Sequence, residues 1–277
     1  VDDLLGYIRT HLDDDLSVRT LSLYSGISLY HFHRIMKVAL GEPLGSYINR
    51  VRLDTSVRLI RYSQEPLQQI ALSIGYNDLS SFSKAFIKEF GMAPREFRND
   101  PGVILNTHVD YRVDNTHTLV SDIKPKLINL PEKQVLFLTV TGEYGGESTI
   151  EGWNEIEAFM KQQAIHSWRP DLFAIYYDDP DEVGADQCRT DLCLAVRKRY
   201  PVYGRIREKR MPGGKYAVFR YKGPYEKLWE LYYAIYGNWV MITDLALRDQ
   251  PVIERYLTFS PQTQPENLLT EIYVPVE

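Results

Sequence analysis

The run from Pro66 to Phe97, PLQQIALSIGYNDLSSFSKAFIKEFGMAPREF, decides how the first third of the chain folds. Leu67, Ile70, Ala71 and Ile74 recur at helical spacing, which predicts a short helix. Gly75 ends it, because glycine enters the left-handed region without steric cost. Asp78 has the side chain to cap a second helix by accepting from its free N–H groups. Phe82, Ala85, Phe86 and Phe90 then make one apolar stripe down to Gly91. Two short helices joined by a glycine-containing turn are a helix-turn-helix, whose second helix can enter the major groove of DNA.

Working outward, the same pattern occurs 50 residues earlier: Phe32 matches Phe82, Met36 matches Phe86, Gly41 matches Gly91 and Tyr47 matches Phe97. Residues 2–12 carry Leu4, Leu5, Ile8 and Leu12 as an amphipathic first helix, and Ser17 is placed to cap a second. Ser28 opens a third that runs to Leu40. A long helix, roughly Leu44 to Tyr62, links the two copies. Two helix-turn-helix units on one connector can reach successive major-groove faces about 34 Å apart, so one chain suffices for one DNA site.

The string I-A-x-x-x-G-Y-x-x-x-S-x-F-x-x-x-F-x-x-x-F-G-x-x-P-x-x-F-R, from Ile70 to Arg98, resembles the signature of the AraC/XylS family of bacterial transcription regulators. S-x-x-H-x-x-R in Ser28 to Arg34 fits that family's first recognition helix. The resemblance covers roughly residues 1–99. It implies that Tyr30, His33 and Arg34 face the groove in the first copy and Leu79, Ser80, Ser81 and Lys84 in the second. Arg34 can pair bidentately with guanine, whereas the second set is shorter and less polar. The first copy is therefore expected to discriminate sequence and the second to fix position on phosphates. Lys37 and Lys88 lie on the same helices as candidate phosphate contacts. His31 reads as a buried or capping histidine.

The chain carries 32 Lys+Arg and 37 Asp+Glu, a formal net charge of −5. Twelve of each lie in residues 1–100, so the DNA-binding part is neutral and the excess acid lies beyond it. Non-specific affinity for DNA comes mainly from cations on phosphates and is expected to be modest here. No apolar run is long enough to span a membrane, and the start shows no signal-peptide pattern. Cys188 and Cys193 make neither a disulfide framework nor a metal site. The expectation is a cytoplasmic protein with no cofactor and no metal.

Beyond Asp100-Pro101-Gly102 comes a polar stretch with weak alternation (Val103, Leu105, Val109, Tyr111, Val113), read as a linker or a loose edge strand. From Ile123 strand-like runs appear: Lys133 to Thr141, Leu172 to Tyr177, Asp191 to Val196, Tyr216 to Tyr221, Ile253 to Phe259 and Glu271 to Val276. Helical segments lie about Thr149 to Ala164 and Tyr225 to Tyr236. This half also repeats. Pro131 matches Pro212, Gly142 matches Gly223 and Tyr144 matches Tyr225, each 81 apart. Tyr176 matches Tyr256, Thr190 matches Thr270 and Val196 matches Val276, each 80 apart. The expected architecture is therefore multidomain: an all-α domain with two helix-turn-helix units over 1–100, a linker over 101–121, and an α+β domain over 122–277 built from a duplicated strand-helix-strand-strand unit.

IYYDDP (Ile175 to Pro180), MPGGKYAVFRYKGPYEKL (Met211 to Leu228), ERY (Glu254 to Tyr256) and TEIYVPV (Thr270 to Val276) look like the GyrI-like effector-binding domain, which implies a small-molecule pocket where the two repeats meet. All four tryptophans, Trp153, Trp168, Trp229 and Trp239, lie in this half. Aromatic faces attract cations and flat apolar ligands. Alternation places Glu254 and Tyr256 on one strand face, and Glu271 with Tyr273 on one face of the last strand. The candidate effector residues are Glu254, which matches the family's pocket carboxylate, with Tyr256, Trp153, Tyr176, Trp229, Tyr233 and Glu271.

The leading expectation is a transcription regulator that binds double-stranded DNA and a small, cationic and partly apolar effector. Two alternatives stand beside it. The GyrI-like domain could hydrolyse small electrophiles, with Glu254 and a tyrosine as acid–base groups. It could instead be a protein-interaction module, with RNA polymerase as the partner.

Overall fold

A computed structural model describes all residues except 101, 106, 108–122, 166–169, 179 and 259–262. Val109, Tyr111, Val113, Trp168, Phe259 and most of the expected linker lie outside the described residues. Contacts divide the chain into two compact units, Val1–Ile27 with Met36–His117, and Ser28–Ile35 with Thr118–Glu277.

Seven helices occupy the first hundred residues: α1 (Asp2–Thr10), α2 (Val18–Ser25), α3 (Leu29–Leu40), α4 (Leu44–Tyr62), α5 (Leu67–Ser73), α6 (Leu79–Phe90) and α7 (Pro94–Asn99). Their ends follow the chemistry of their caps. Ser17 accepts from the Thr20 amide at the start of α2. Asp78 accepts from the Ser81 amide at 2.7 Å at the start of α6. Gly75 has φ +85°, and a Cβ there would collide with the Leu12 carbonyl and the Arg52 guanidinium that donates to it. Only glycine meets both demands.

The second helix-turn-helix has a packed core of Leu53, Val57 and Ile60 from α4, Ile70, Ala71 and Ile74 at α5, Phe82 and Phe86 from α6, and Phe97 from α7. Phe82 and Phe86 meet edge to face at 5.6 Å between centroids. Each such ring contributes roughly 1.5–3 kcal/mol by burial. Val103 and Leu105 also pack against this core, and Arg61 donates to the carbonyls of Asp100 and Val103. The first residues of the expected linker are thus part of the helical unit's packing.

The second unit is built on an eight-stranded antiparallel sheet: β1 (Lys126–Leu130), β2 (Lys133–Thr141), β3 (Leu172–Tyr176), β4 (Arg189–Ala195), β5 (Arg207–Met211), β6 (Gly214–Lys222), β7 (Ile253–Tyr256) and β8 (Leu269–Pro275). Helix α8 (Glu147–Gln162) follows β2, a short α9 (Pro180–Val183) follows β3, and α10 (Leu228–Ala234) follows β6. α10 widens into a π-helical turn, Ile235–Trp239, before α11 (Val240–Ile242). The strand order is β1-β6-β8-β7-β3-β4-β2-β5. Replacing β1 to β4 by β5 to β8, and the reverse, reads that order backwards, so the duplication is a pseudo-twofold with β3 and β7 at its centre.

The repeat is one strand longer than the sequence suggested: each copy opens with an added strand, β1 or β5, which pairs with the other copy's second strand. The two exchanged strands are the sheet edges. β5 reads REKRM, and such charge is characteristic of protected edges. At Gly213 a Cβ would lie 2.6 Å from the Glu132 amide and 2.7 Å from the Leu130 carbonyl, so the β1–β2 and β5–β6 turns press against each other. β7 ends at Tyr256, earlier than the expected Phe259.

Side chains alternate between two cores. Leu136, Leu138, Leu172, Ala174, Leu192 and Tyr256 face α8, with its Trp153, Ile156 and Phe159. Val135, Phe173, Ile175, Cys193, Ile253 and Tyr273 form the opposite core.

Candidate functional site

β7 and β3 pair with Glu254 opposite Ala174 and Tyr256 opposite Leu172, which puts these side chains on the face that carries α8. Glu254 is buried, at 5% exposure. Its carboxylate accepts from three phenols: Tyr232 Oη at 2.8 Å on Oε1, and Tyr256 Oη at 2.9 Å and Tyr176 Oη at 3.2 Å on Oε2. The Tyr176 and Tyr256 hydroxyls lie 2.9 Å apart. Around them the rings meet edge-on: Tyr144 on Tyr176, Tyr225 on Tyr256, and Trp153 on Tyr256.

Burial raises the Glu254 carboxyl above its ordinary 4.5, against the three hydrogen bonds and the charge of Arg34, which pull it down. Desolvation outweighs them because the hydroxyls bring only partial charge and the Arg34 charge is the smallest of these influences. Burial, and next the negative charge of Glu254, push Tyr225 up to about 12 and hold Tyr176, Tyr232 and Tyr256 well above 10. These tyrosines therefore stay protonated donors. The group can hold a cation by charge and by aromatic faces together.

Of the seven expected effector residues, the fold brings Glu254, Tyr256, Tyr176 and Trp153 together. Trp229 stands 49% exposed on α10, edge-on to Tyr233, and neither is among the donors to Glu254. Glu271 is placed elsewhere. Its register partners are Arg255 and Arg220, so it lies on the face opposite Glu254 and accepts from Arg220 at 2.7 Å and from Tyr273 at 2.8 Å. Sequence reasoning missed Tyr232, Tyr225 and Tyr144. Tyr144 and Tyr225 were marked by the repeat itself. For Tyr232 the available signal was the Tyr232-Tyr233 pair, whose facing depends on the phase of α10.

On α6, Ser80, Lys84 and Lys88 are exposed at successive four-residue steps and form one polar stripe. Ser81 is used by the cap, bonding Asp78 through both its amide and its hydroxyl. Leu79 is half-buried against the helical core. On α3, Tyr30, His33, Arg34 and Lys37 are half-buried. Ser28–Ile35 belongs to the compact unit that contains the sheet. There Arg34 donates to Tyr236 Oη at 3.4 Å, with its guanidinium carbon 5.3 Å from the Tyr232 ring centroid. His31 is buried as expected. Its Nε2 faces the Arg248 carbonyl at 3.1 Å and must donate, which leaves Nδ1 to accept from Tyr236 Oη at 2.9 Å. Burial, and next the Arg34 charge, lower its pKa to about 3, so it is neutral.

The model of the GyrI-like small molecule binding domain matches residues 123–277, and a helix-turn-helix domain model matches residues 21–100. The chain belongs to the GyrI-like small molecule binding domain family, joined here to an AraC-type helix-turn-helix domain. It is 24% identical to the right origin-binding protein of Escherichia coli K12 over 99% of this chain and 96% of that protein. It is likewise 24% identical to the transcriptional regulator Rob of Salmonella typhimurium, with the same coverage. The regulatory protein SoxS of Escherichia coli K12 is 28% identical over 36% of this chain and 92% of its own length. Among the described residues no helix is long and apolar enough to cross a membrane.

Proposed function

We propose that this chain is a sequence-specific DNA-binding transcription regulator whose sheet domain binds a small cationic, partly apolar effector at Glu254. The observation that carries the effector reading is a buried carboxylate whose described donors are all tyrosine hydroxyls, set among aromatic rings. A ligand cation supplies the counter-charge that hydroxyls lack, and both charge pairing and ring contact strengthen as water is excluded. DNA is read through α3 and positioned through the exposed stripe of α6. RNA polymerase at the same promoter is the protein partner of this reading, and the cytoplasm is its compartment.

The test is a calorimetric titration of the full chain with an aromatic quaternary ammonium ion, with and without operator DNA. Binding of one ligand per chain, with equal reciprocal shifts in the two affinities, supports an effector site. Ligand binding that leaves DNA affinity unchanged sinks the regulatory coupling. Steady turnover of the ligand would make the domain an enzyme instead. In the DNA arm, Lys84→Ala, on the exposed stripe of α6, should weaken specific and random DNA about equally and lower the salt dependence of binding.

A further inference from the structure

The pseudo-twofold allows each residue of the Glu254 site to be compared with its counterpart in the other repeat. Tyr176 and Tyr256 are counterparts, 80 residues apart, and their hydroxyls meet at 2.9 Å. Tyr144 and Tyr225 are counterparts, 81 apart, and each stacks edge-on against its own copy's central tyrosine, at 4.7 and 5.6 Å between centroids. The aromatic frame is therefore symmetric. The charge is not. The counterpart of Glu254 is Ala174, fully buried, on the same sheet face and directly opposite in register.

The helices repeat this asymmetry. Tyr232, which donates to Glu254, corresponds to Glu151, which is exposed on α8. Trp153, which packs on Tyr256, corresponds to the buried Ala234. One copy supplies the carboxylate and its extra donor, and the other supplies a methyl group and an indole. The hydroxyls of Tyr176, Tyr232 and Tyr256 are all directed at the one carboxylate.

We infer that the site accepts a lipophilic molecule with a single cationic centre, held at Glu254, and that Ala174 sets this limit by standing where a second carboxylate would be. This rests on the proposed effector role of Glu254 and deepens it. A second ligand charge would find the Ala174 methyl group and no second carboxylate, and burying an unpaired charge is strongly unfavourable.

The experiment uses the full chain and three probes built on one ring: benzyltrimethylammonium, 1,4-bis(trimethylammoniomethyl)benzene, and neopentylbenzene as the neutral isostere. Affinities are read by calorimetry. Wild type should prefer the monocation to the dication by at least about tenfold, despite the dication's larger attraction to an acidic protein. Equal or tighter binding of the dication, with the monocation still bound better than the neutral probe, overturns the single-charge inference and leaves the reading of Glu254 intact. Binding of the neutral probe as tightly as the monocation, or of neither cation, overturns the reading of Glu254 itself. The wild-type comparison needs no variant. Ala174→Glu sharpens it: where circular dichroism and thermal melting show a folded chain, the preference should shift toward the dication by about tenfold or more. A folded variant with unchanged preference removes Ala174 as the determinant.

Discussion

Glu254 and Glu271 lie on neighbouring strands, both nearly closed to solvent, and their surroundings differ in kind. Glu271 is neutralised by the fold: Arg220 donates to one oxygen, Tyr273 to the other, and Arg255 Nη1 stands 3.7 Å away while its Nε binds Asp171. Asp191, on the same face, is held in a similar way by Lys209, Tyr177 and Thr139. Glu254, on the other face, has three tyrosine donors. The contrast separates acids that the fold pairs with cations from one whose described hydrogen-bond donors are all hydroxyls. Partner type, more than burial, makes that distinction.

The largest effect that could break this contrast is structural. Arg255→Met removes a cation shared by Glu271 and Asp171 and should cost about 1–3 kcal/mol of stability, read as a lowered urea midpoint. A loss below about 1 kcal/mol would make the network equivalent to a surface pair and erase the difference.

Next comes ligand affinity. Glu254→Gln should weaken a lipophilic monocation by about 2 kcal/mol, some thirtyfold, and leave its neutral isostere nearly unaffected. Glu271→Gln should leave both affinities unchanged in the same calorimetric titration. Equal losses for the two probes, or a loss with Glu271→Gln, would reassign the binding carboxylate.

The third test is pH. The groups acting on Glu254 are the hydroxyls of Tyr176, Tyr232 and Tyr256 and the charge of Arg34, and burial outweighs them to raise its pKa above 4.5. Above 4.5 the unfolded chain releases this proton before the native state does. Glu254 therefore lowers stability as pH rises from 4.5 through its native pKa. Glu254→Gln should remove that decline, so urea midpoints of mutant and wild type should diverge in the mutant's favour on going from pH 4 to pH 7. Over the same window monocation affinity should rise in wild type and stay flat in the mutant. A wild-type affinity that falls with pH would mean the ligand binds the protonated acid.

The smallest expected effect concerns Trp229. Trp229→Ala should change monocation affinity by less than about 0.5 kcal/mol, because the ring is half exposed and makes no described contact with the Glu254 group. A larger loss would extend the site along α10.

What could be read before the fold was known follows from the range of the forces involved. α4 to α6 were legible because caps and 3.6-residue periodicity are local: Asp78, Gly75 and the Phe82–Phe86–Phe90 stripe each act within a turn or two. β1 and β5 were hidden because edge strands need no apolar alternation, and REKRM carries none. Glu254, Tyr256, Tyr176 and Trp153, which the fold brings together, were singled out through repeat and motif. Tyr232 was missed for its neighbour Tyr233 because a helix that widens at Ile235 does not advertise its phase. Glu271 was grouped with Glu254 because strand alternation assigns faces only within a strand. Which faces coincide is set by register, and register is a long-range property. Leu79 and Ser81 were given groove-facing positions; packing leaves Leu79 half-buried, and the exposed Ser81 bonds the Asp78 cap.

The crossed turns at Gly213, with each repeat giving its first strand to the other, describe what would be an intertwined homodimer if the chain were cut between β4 and β5. Such a dimer must present every side chain twice, so it could carry two carboxylates at its axis or none. Joining the halves covalently lifts that rule. Position 174 can then be alanine while position 254 is an acid, and a symmetric cradle can carry its charge on one side only. By the same logic neither half is a spare: a truncation that keeps only β5 to β8 leaves β6 without the edge strand it borrows and β7 without its central neighbour.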